Sequence, residues 1–153
     1  MDFSLTEDQA ATAGLERLHA VIDSIPGWDR HCGTRSPVTW VLQVYINAFS
    51  AQDLDAIAAL FADNAEVHDP VGSEPHKGIN VIRAFYGSAV AMKAKLFQQG
   101  PTRIASDYAA FAFTVTLPTG PRIDVIDTFR FDAAGKVVEM RAYFGPPNMH
   151  GFQ

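Results

Sequence analysis

The feature that most constrains this chain is a change of hydrophobic period near Gly100. Before it, apolar residues recur every three or four positions, the spacing of a helix with one buried face. After it they alternate, the spacing of a half-buried strand. Helices followed by a strand meander bury both patterns by laying the helices on one face of a sheet, so the fold class is α+β. The 153 residues suit one domain. Apolar residues make up 48% and charged ones 19%, which supplies an interior and argues against disorder.

Thr6 with Gln9 suits a capping box, and Leu15, Leu18, Ile22 and Ile25 form an apolar stripe that ends at Pro26-Gly27. The connector "WDRHCGTRS" follows, and Ser36-Pro37 reads as a helix start. Val38, Val41, Leu42, Tyr45, Ala48 and Phe49 then keep helical spacing, and Asp53 caps a short helix carrying Leu54, Ile57, Leu60 and Phe61 inward. "AEVHDPVG" is a brief extended piece, its Asp-Pro step keeping Asp69 out of helical geometry. A helix over "GINVIRAFYGSAVAM" places Ile79, Ile82, Phe85 or Tyr86, and Ala89 inside. Strands are expected over 108–117, 122–131 and 136–144, joined by turns at "PTGP" and "DAAG", with Val138, Met140, Ala142 and Phe144 sharing a face of the last.

The candidate site comes from polar residues that these periods turn inward. Asp127 shares a strand face with Val125, Phe129 and Phe131. A buried carboxyl finds a cation or keeps its proton, and a neutral one donates a hydrogen bond. Asp69 follows Val67 inward, and Tyr45 lies on the stripe with Val41, Leu42 and Phe49. Each has a plainer reading: a surface strand for Asp127, a turn contact before proline for Asp69, core packing for Tyr45. Together, on three separate elements, they form a candidate site. A carboxylate can remove a proton from carbon beside a carbonyl, while a phenol and a protonated carboxyl hold the resulting enolate oxygen. That chemistry requires neither metal nor cofactor. Phe61, Phe85, Phe111, Phe113, Phe129, Met140 and Phe144 are available to line a low-polarity cavity.

These residues resemble those of the bacterial Δ5-3-ketosteroid isomerases, within the nuclear-transport-factor-2-like (NTF2-like, SnoaL-like) group of cone-shaped α+β domains. The resemblance runs from about residue 40 to 145, through "VYINAFSAQDLDAIAALFADNAEVHDPVG", "GINVIRAFYGSAV" and "IDVIDTFRFDAAGKVVEMRAYF". It implies a cone, a curved mixed or antiparallel sheet around a cavity with helices packed on it, over 37–147. Residues 1–36 are then an N-terminal addition and 148–153 a tail. By position, Asp69 resembles the general base, Tyr45 the main oxyanion donor and Asp127 the protonated second donor. Phe61, Tyr86, Phe113, Phe129, Met140 and Phe144 are the expected substrate contacts. Phe61 stands where relatives carry another tyrosine, which shortens the hydrogen-bond chain behind Tyr45. The implied reaction moves a double bond of a 3-ketosteroid into conjugation with its ketone, in a homodimer without cofactor.

Other classes are less well supported. The net charge of −5 argues against nucleic acid, and no apolar run approaches a membrane span of about 20 residues. The single Cys32 cannot form an internal disulfide, and the acidic start lacks a secretory pattern, so a cytoplasmic location is expected. Glu66, His68, Asp69, Glu74 and His76 crowd one stretch, but His68 should point away from Asp69 and no metal site is expected. The alternatives are another enzyme of the fold, a polyketide cyclase or dehydratase keeping Asp69 with different partners, or a non-enzymatic carrier of an apolar ligand, which needs no inward base.

Overall fold

The computed structural model describes residues 6–23 and 37–152. The chain divides into two compact units, Met1–Arg35 and Ser36–Gln153. The described element of the first is helix α1 (Glu7–Asp23). Its start is a reciprocal capping box: Gln9 N–H donates to Thr6 Oγ1 at 3.2 Å, and Thr6 N–H donates to Gln9 Oε1 at 3.0 Å. Leu15, expected inside, is exposed. Among the described residues of this unit the helix has no second element to bury its stripe against. The side chains of Leu18 and Ile22, with Ile25 and the connector bearing Cys32, lie outside the described residues.

The second unit begins with α2 (Pro37–Ser50), whose first residue has no N–H to leave unpaired. Leu42, Tyr45, Ile46 and Phe49 occupy its buried face. Helix α3 (Leu54–Ala58) is capped by Asp53, whose carboxylate accepts from Ala56 N–H at 3.0 Å. Helix α4 (Ile79–Ala91) buries Ile82 and Tyr86, one turn apart. Of the two aromatics competing for that face, Tyr86 is buried and Phe85 half-buried.

Strands β1 (Phe61–His68), β2 (His76–Lys77), β3 (Lys95–Gln98), β4 (Arg103–Ala105), β5 (Tyr108–Thr116), β6 (Arg122–Phe131), β7 (Val137–Tyr143) and β8 (Met149–His150) form one sheet. Its order is β2-β1-β7-β6-β5-β3, with β4 also on β5 and β8 also on β6. The β1–β7 pair is parallel and the others antiparallel. The sheet is unclosed and curved, and register shifts in the β1–β7 and β6–β7 pairs add to its bend.

Three expectations are corrected. Phe61 opens β1 instead of finishing the preceding helix, and β1 starts four residues before the extended piece expected from Ala65 and ends at His68. In β7 the inward set is Val137, Met140 and Ala142, with Val138 half-buried, because the register slips between Arg130 and Phe131 and places Phe131 against Val137. The C-terminal segment carries a strand of its own, β8.

Candidate active site

One cavity of about 210 Å³ brings together the three polar residues whose periods turn inward. Tyr45 reaches it from α2, Tyr86 from α4, Asp69 from the turn after β1 and Asp127 from β6. Tyr45, Tyr86 and Asp127 are 3%, 1% and 1% exposed and form the floor. Strict alternation along β6 buries Val125, Asp127, Phe129 and Phe131 while Ile126 stays exposed. Across the sheet Asp127 is paired with Phe111 on β5 and Ala142 on β7. Ala142, a small residue that also lines the cavity, leaves space beside the carboxyl.

The floor is fixed more by packing than by polar contacts. The Tyr45 ring meets Phe49 and Phe129 edge-on at centroid distances of 5.1 and 5.3 Å. Its hydroxyl lies 3.4 Å from that of Tyr86, a long hydrogen bond. Asp127 Oδ1 is buried with no hydrogen-bond partner among the described residues. Such a group costs free energy wherever it remains unpaired.

Burial sets the protonation states. It pushes the Asp69 carboxyl up to about 7, so near neutral pH this group exists in both forms. Asp127 is raised well above the carboxylate range, first by burial and then by the Asp69 charge, while the Tyr45 hydroxyl opposes the rise. Both phenols are raised, again chiefly by burial. Burial thus favours the protonated, hydrogen-bond-donating forms of both phenols and of Asp127 at the floor, in a cavity that the Asp69 carboxyl also lines.

Of the six expected substrate contacts, Tyr86, Phe113 and Phe144 line the cavity. Phe61, Phe129 and Met140 do not. All three are buried in the core, with Phe129 against the Tyr45 ring and Phe61 5.4 Å from Tyr86. Alternation assigns Phe129 and Met140 to the inner face correctly, but Phe129 packs behind the Tyr45 ring and Phe61 beside the Tyr86 ring. Met92, Leu96, Leu117, Ile123 and Phe152 also line the cavity. The alternation that places Val125 inward extends to Ile123. Phe152 follows the Gly145-Pro146-Pro147 stretch and Gly151 and carries no periodic signal.

Of the crowded acidic and histidine residues, Glu66 and His68 approach each other and Glu139 from β7, with ligand atoms within 4.8 Å. Asp69 lines the cavity instead. Lys77 faces Glu66 at 3.4 Å and Arg141 faces Glu139 at 3.1 Å, so each carboxylate already has a cation.

An α+β domain whose curved sheet and helices enclose an apolar cavity with donors at its floor defines the class. The chain belongs to the SnoaL-like domain family, whose model matches residues 42–140. It is 35% identical over 108 residues to a steroid Delta-isomerase of Nocardioides simplex, an alignment covering 69% of this chain and 87% of that protein. Its fold is similar to that of SalBIII, an epoxide hydrolase/cyclase-like enzyme with a role in pyran ring formation in the polyether salinomycin. That match has a TM-score of 0.69 and 24% identity, and covers 73% of this chain and 93% of the other. Among the described residues no helix is long and apolar enough to cross a membrane.

Proposed function

We propose that this protein is an isomerase of the steroid Delta-isomerase type, which moves a β,γ double bond of a 3-ketosteroid into conjugation with its ketone. The observation that carries this reading is Asp127: a fully buried carboxyl with an oxygen unpartnered among the described residues, its protonated form favoured by burial, lining the same apolar cavity as Tyr45 and Asp69. A carrier of apolar ligands has no use for such a group, whereas an enolate oxygen is stabilised by donors already aimed at it. The 35% identity to a steroid Delta-isomerase supports the same reading.

In this reaction the ionised Asp69 takes a proton from C4. The electron pair of that C–H bond moves into the ring, and the ketone oxygen becomes a dienolate held by hydrogen bonds from Tyr45 and Asp127. Asp69 then returns the same proton to C6, the double bond settles between C4 and C5, and the carboxylate is regenerated. Tyr86 positions the Tyr45 hydroxyl, and the apolar walls exclude water from the intermediate. These steps need no metal or cofactor.

The outer sheet face carries exposed Phe97, Ile126 and Tyr143 beside Arg122 and Asp124, and we assign it to a second copy of the chain. A reducing cytoplasm is the compartment we propose, on the single Cys32.

The test is to mix the protein with 5-androstene-3,17-dione and follow the ultraviolet absorbance of the conjugated enone. The wild type is expected to generate it, with an acid limb near pH 7 as Asp69 protonates. Asp69→Asn should lose about 10²–10⁴-fold in rate, and Tyr45→Phe or Asp127→Leu about 10²–10³-fold each. Ligand uptake by the wild type without enone formation would identify a carrier and overturn the reading.

A further inference from the structure

The cavity runs from a buried polar floor to an exposed apolar rim. Tyr45, Tyr86 and Asp127 are closed off from solvent, whereas Met92 and Phe152, which line the same space, are 56% and 44% exposed. Large apolar side chains at a cavity mouth are placed to meet any part of a ligand that protrudes from it. The enclosed space, about 210 Å³, is below the roughly 300 Å³ at which pockets for drug-sized ligands begin. A polycyclic ketone with its oxygen at the floor must therefore extend to the rim.

Phe152 is delivered there by a strap that the sheet holds in place. After Gly145 a single 3-10 turn, Pro146–Asn148, is closed on itself: Asn148 N–H donates to the Gly145 carbonyl at 2.8 Å, and Gly145 N–H donates to Asn148 Oδ1 at 3.0 Å. β8 then pairs with β6, setting His150 opposite Arg122 and Met149 opposite Ile123. His150 Nε2 lies 3.2 Å from Asp124 Oδ2, and that carboxylate also accepts from Thr114 Oγ1 at 3.2 Å. Gly151 turns the chain at φ +82°, and a Cβ there would come within 3.3 Å of Pro121 Cα. The positive φ and this close approach favour glycine at the bend, and the next residue is Phe152.

We propose that Phe152 is a specificity-determining residue, the part of the rim that contacts the end of an extended apolar ketone remote from its oxygen and so favours long substrates over short ones. The inference rests on the proposed role of the floor as the oxygen site, and adds to it how the length of the substrate is read.

Binding tests it without requiring turnover. The probes are two phenols whose oxygen can occupy the enolate position: 2-naphthol, short enough to remain at the floor, and equilenin, long enough to reach the rim. Fluorescence titration of the wild type, Phe152→Ala and Phe152→Leu gives the dissociation constants. Phe152→Ala is expected to weaken equilenin roughly tenfold, the scale of one partly buried aromatic, and to change 2-naphthol by less than about twofold. Phe152→Leu should recover most of the loss. Gly151→Ala, which moves the ring without removing it, should weaken equilenin while sparing 2-naphthol. In the enone assay Phe152→Ala should raise KM for the steroid and leave kcat within about twofold. Equal weakening of both phenols, no change in either, or failure of the wild type to bind equilenin more tightly than 2-naphthol overturns the proposal. Selective loss of equilenin binding in a protein that forms no enone would uphold the rim and overturn the isomerase reading.

Discussion

A charge on Asp127 would sit in the core with no cation facing it among the described residues, and this links the residue to stability as well as to chemistry. In the unfolded chain its carboxyl ionises near about 3.9; in the folded protein burial and the Asp69 charge raise that value. Between the two values the folded state binds a proton that the unfolded state has released, so its stability falls as pH rises. The contribution is fully present below about pH 4 and is lost progressively up to the folded pKa. Relative to Asp127→Asn, whose amide has no charge at any pH, the wild type should lose about 1.4 kcal/mol per pH unit across that window. Urea unfolding of both proteins between pH 5 and 7 measures it, with the shared contribution of Asp69 largely cancelling. A pH-independent difference would mean that Asp127 is ionised in the folded state. The residue is legible in the sequence because β6 alternates without interruption and one carboxyl stands among a valine and two phenylalanines. The distinction between Phe113, which lines the cavity, and Phe129, which backs the Tyr45 ring, is not legible. Both are inward on paired strands, and the depth of a cavity is a property of three elements at once.

At the scale of elements, the long pieces follow from local chemistry and the short ones do not. Helices α2 and α4 announce themselves by apolar spacing, and β5, β6 and β7 by alternation with turns between them. β2, β3, β4 and β8 are two to four residues long. They exist because a neighbouring strand offers hydrogen bonds, a cause invisible in their own residues. The first half of β1 is hidden for a related reason: Asp63 and Asn64 are polar and exposed, and the register shift there interrupts the alternation. Helix α3, only five residues long, depends on its cap. Asp53→Ala should cost about 1 kcal/mol of stability in urea unfolding, with the m-value unchanged. A cost below about 0.3 kcal/mol, on the same scale, would show that packing of Ile57 alone holds the helix.

For the whole molecule, the sheet separates two kinds of surface. Its inner face closes over the site, and its outer face shows Phe97, Ile126 and Tyr143 to solvent, the last two directly paired across β6 and β7. Ile126→Asp changes only an exposed side chain, so the fold should persist while a second copy loses its contact. Sedimentation is expected to give a dimer for the wild type and a monomer for the variant; a monomeric wild type would refute the assignment of that face. The α+β class is legible because the change of period near Gly100 spans the whole second half of the chain. A surface shared between copies leaves no comparable periodic trace within one chain.

The parallel pairing of β1 with β7 has a consequence for how the protein comes into being. β1 precedes the turn that bears Asp69, yet its long neighbour is among the last strands to leave the ribosome. Until Val137 and the residues after it are made, that strand has only two-residue β2 beside it, and the turn that bears Asp69 has no fixed address. A product truncated just after Phe131 would retain Tyr45, Asp69, Asp127 and all four helices and still leave β1 without its long neighbour, because that contact joins distant parts of the message.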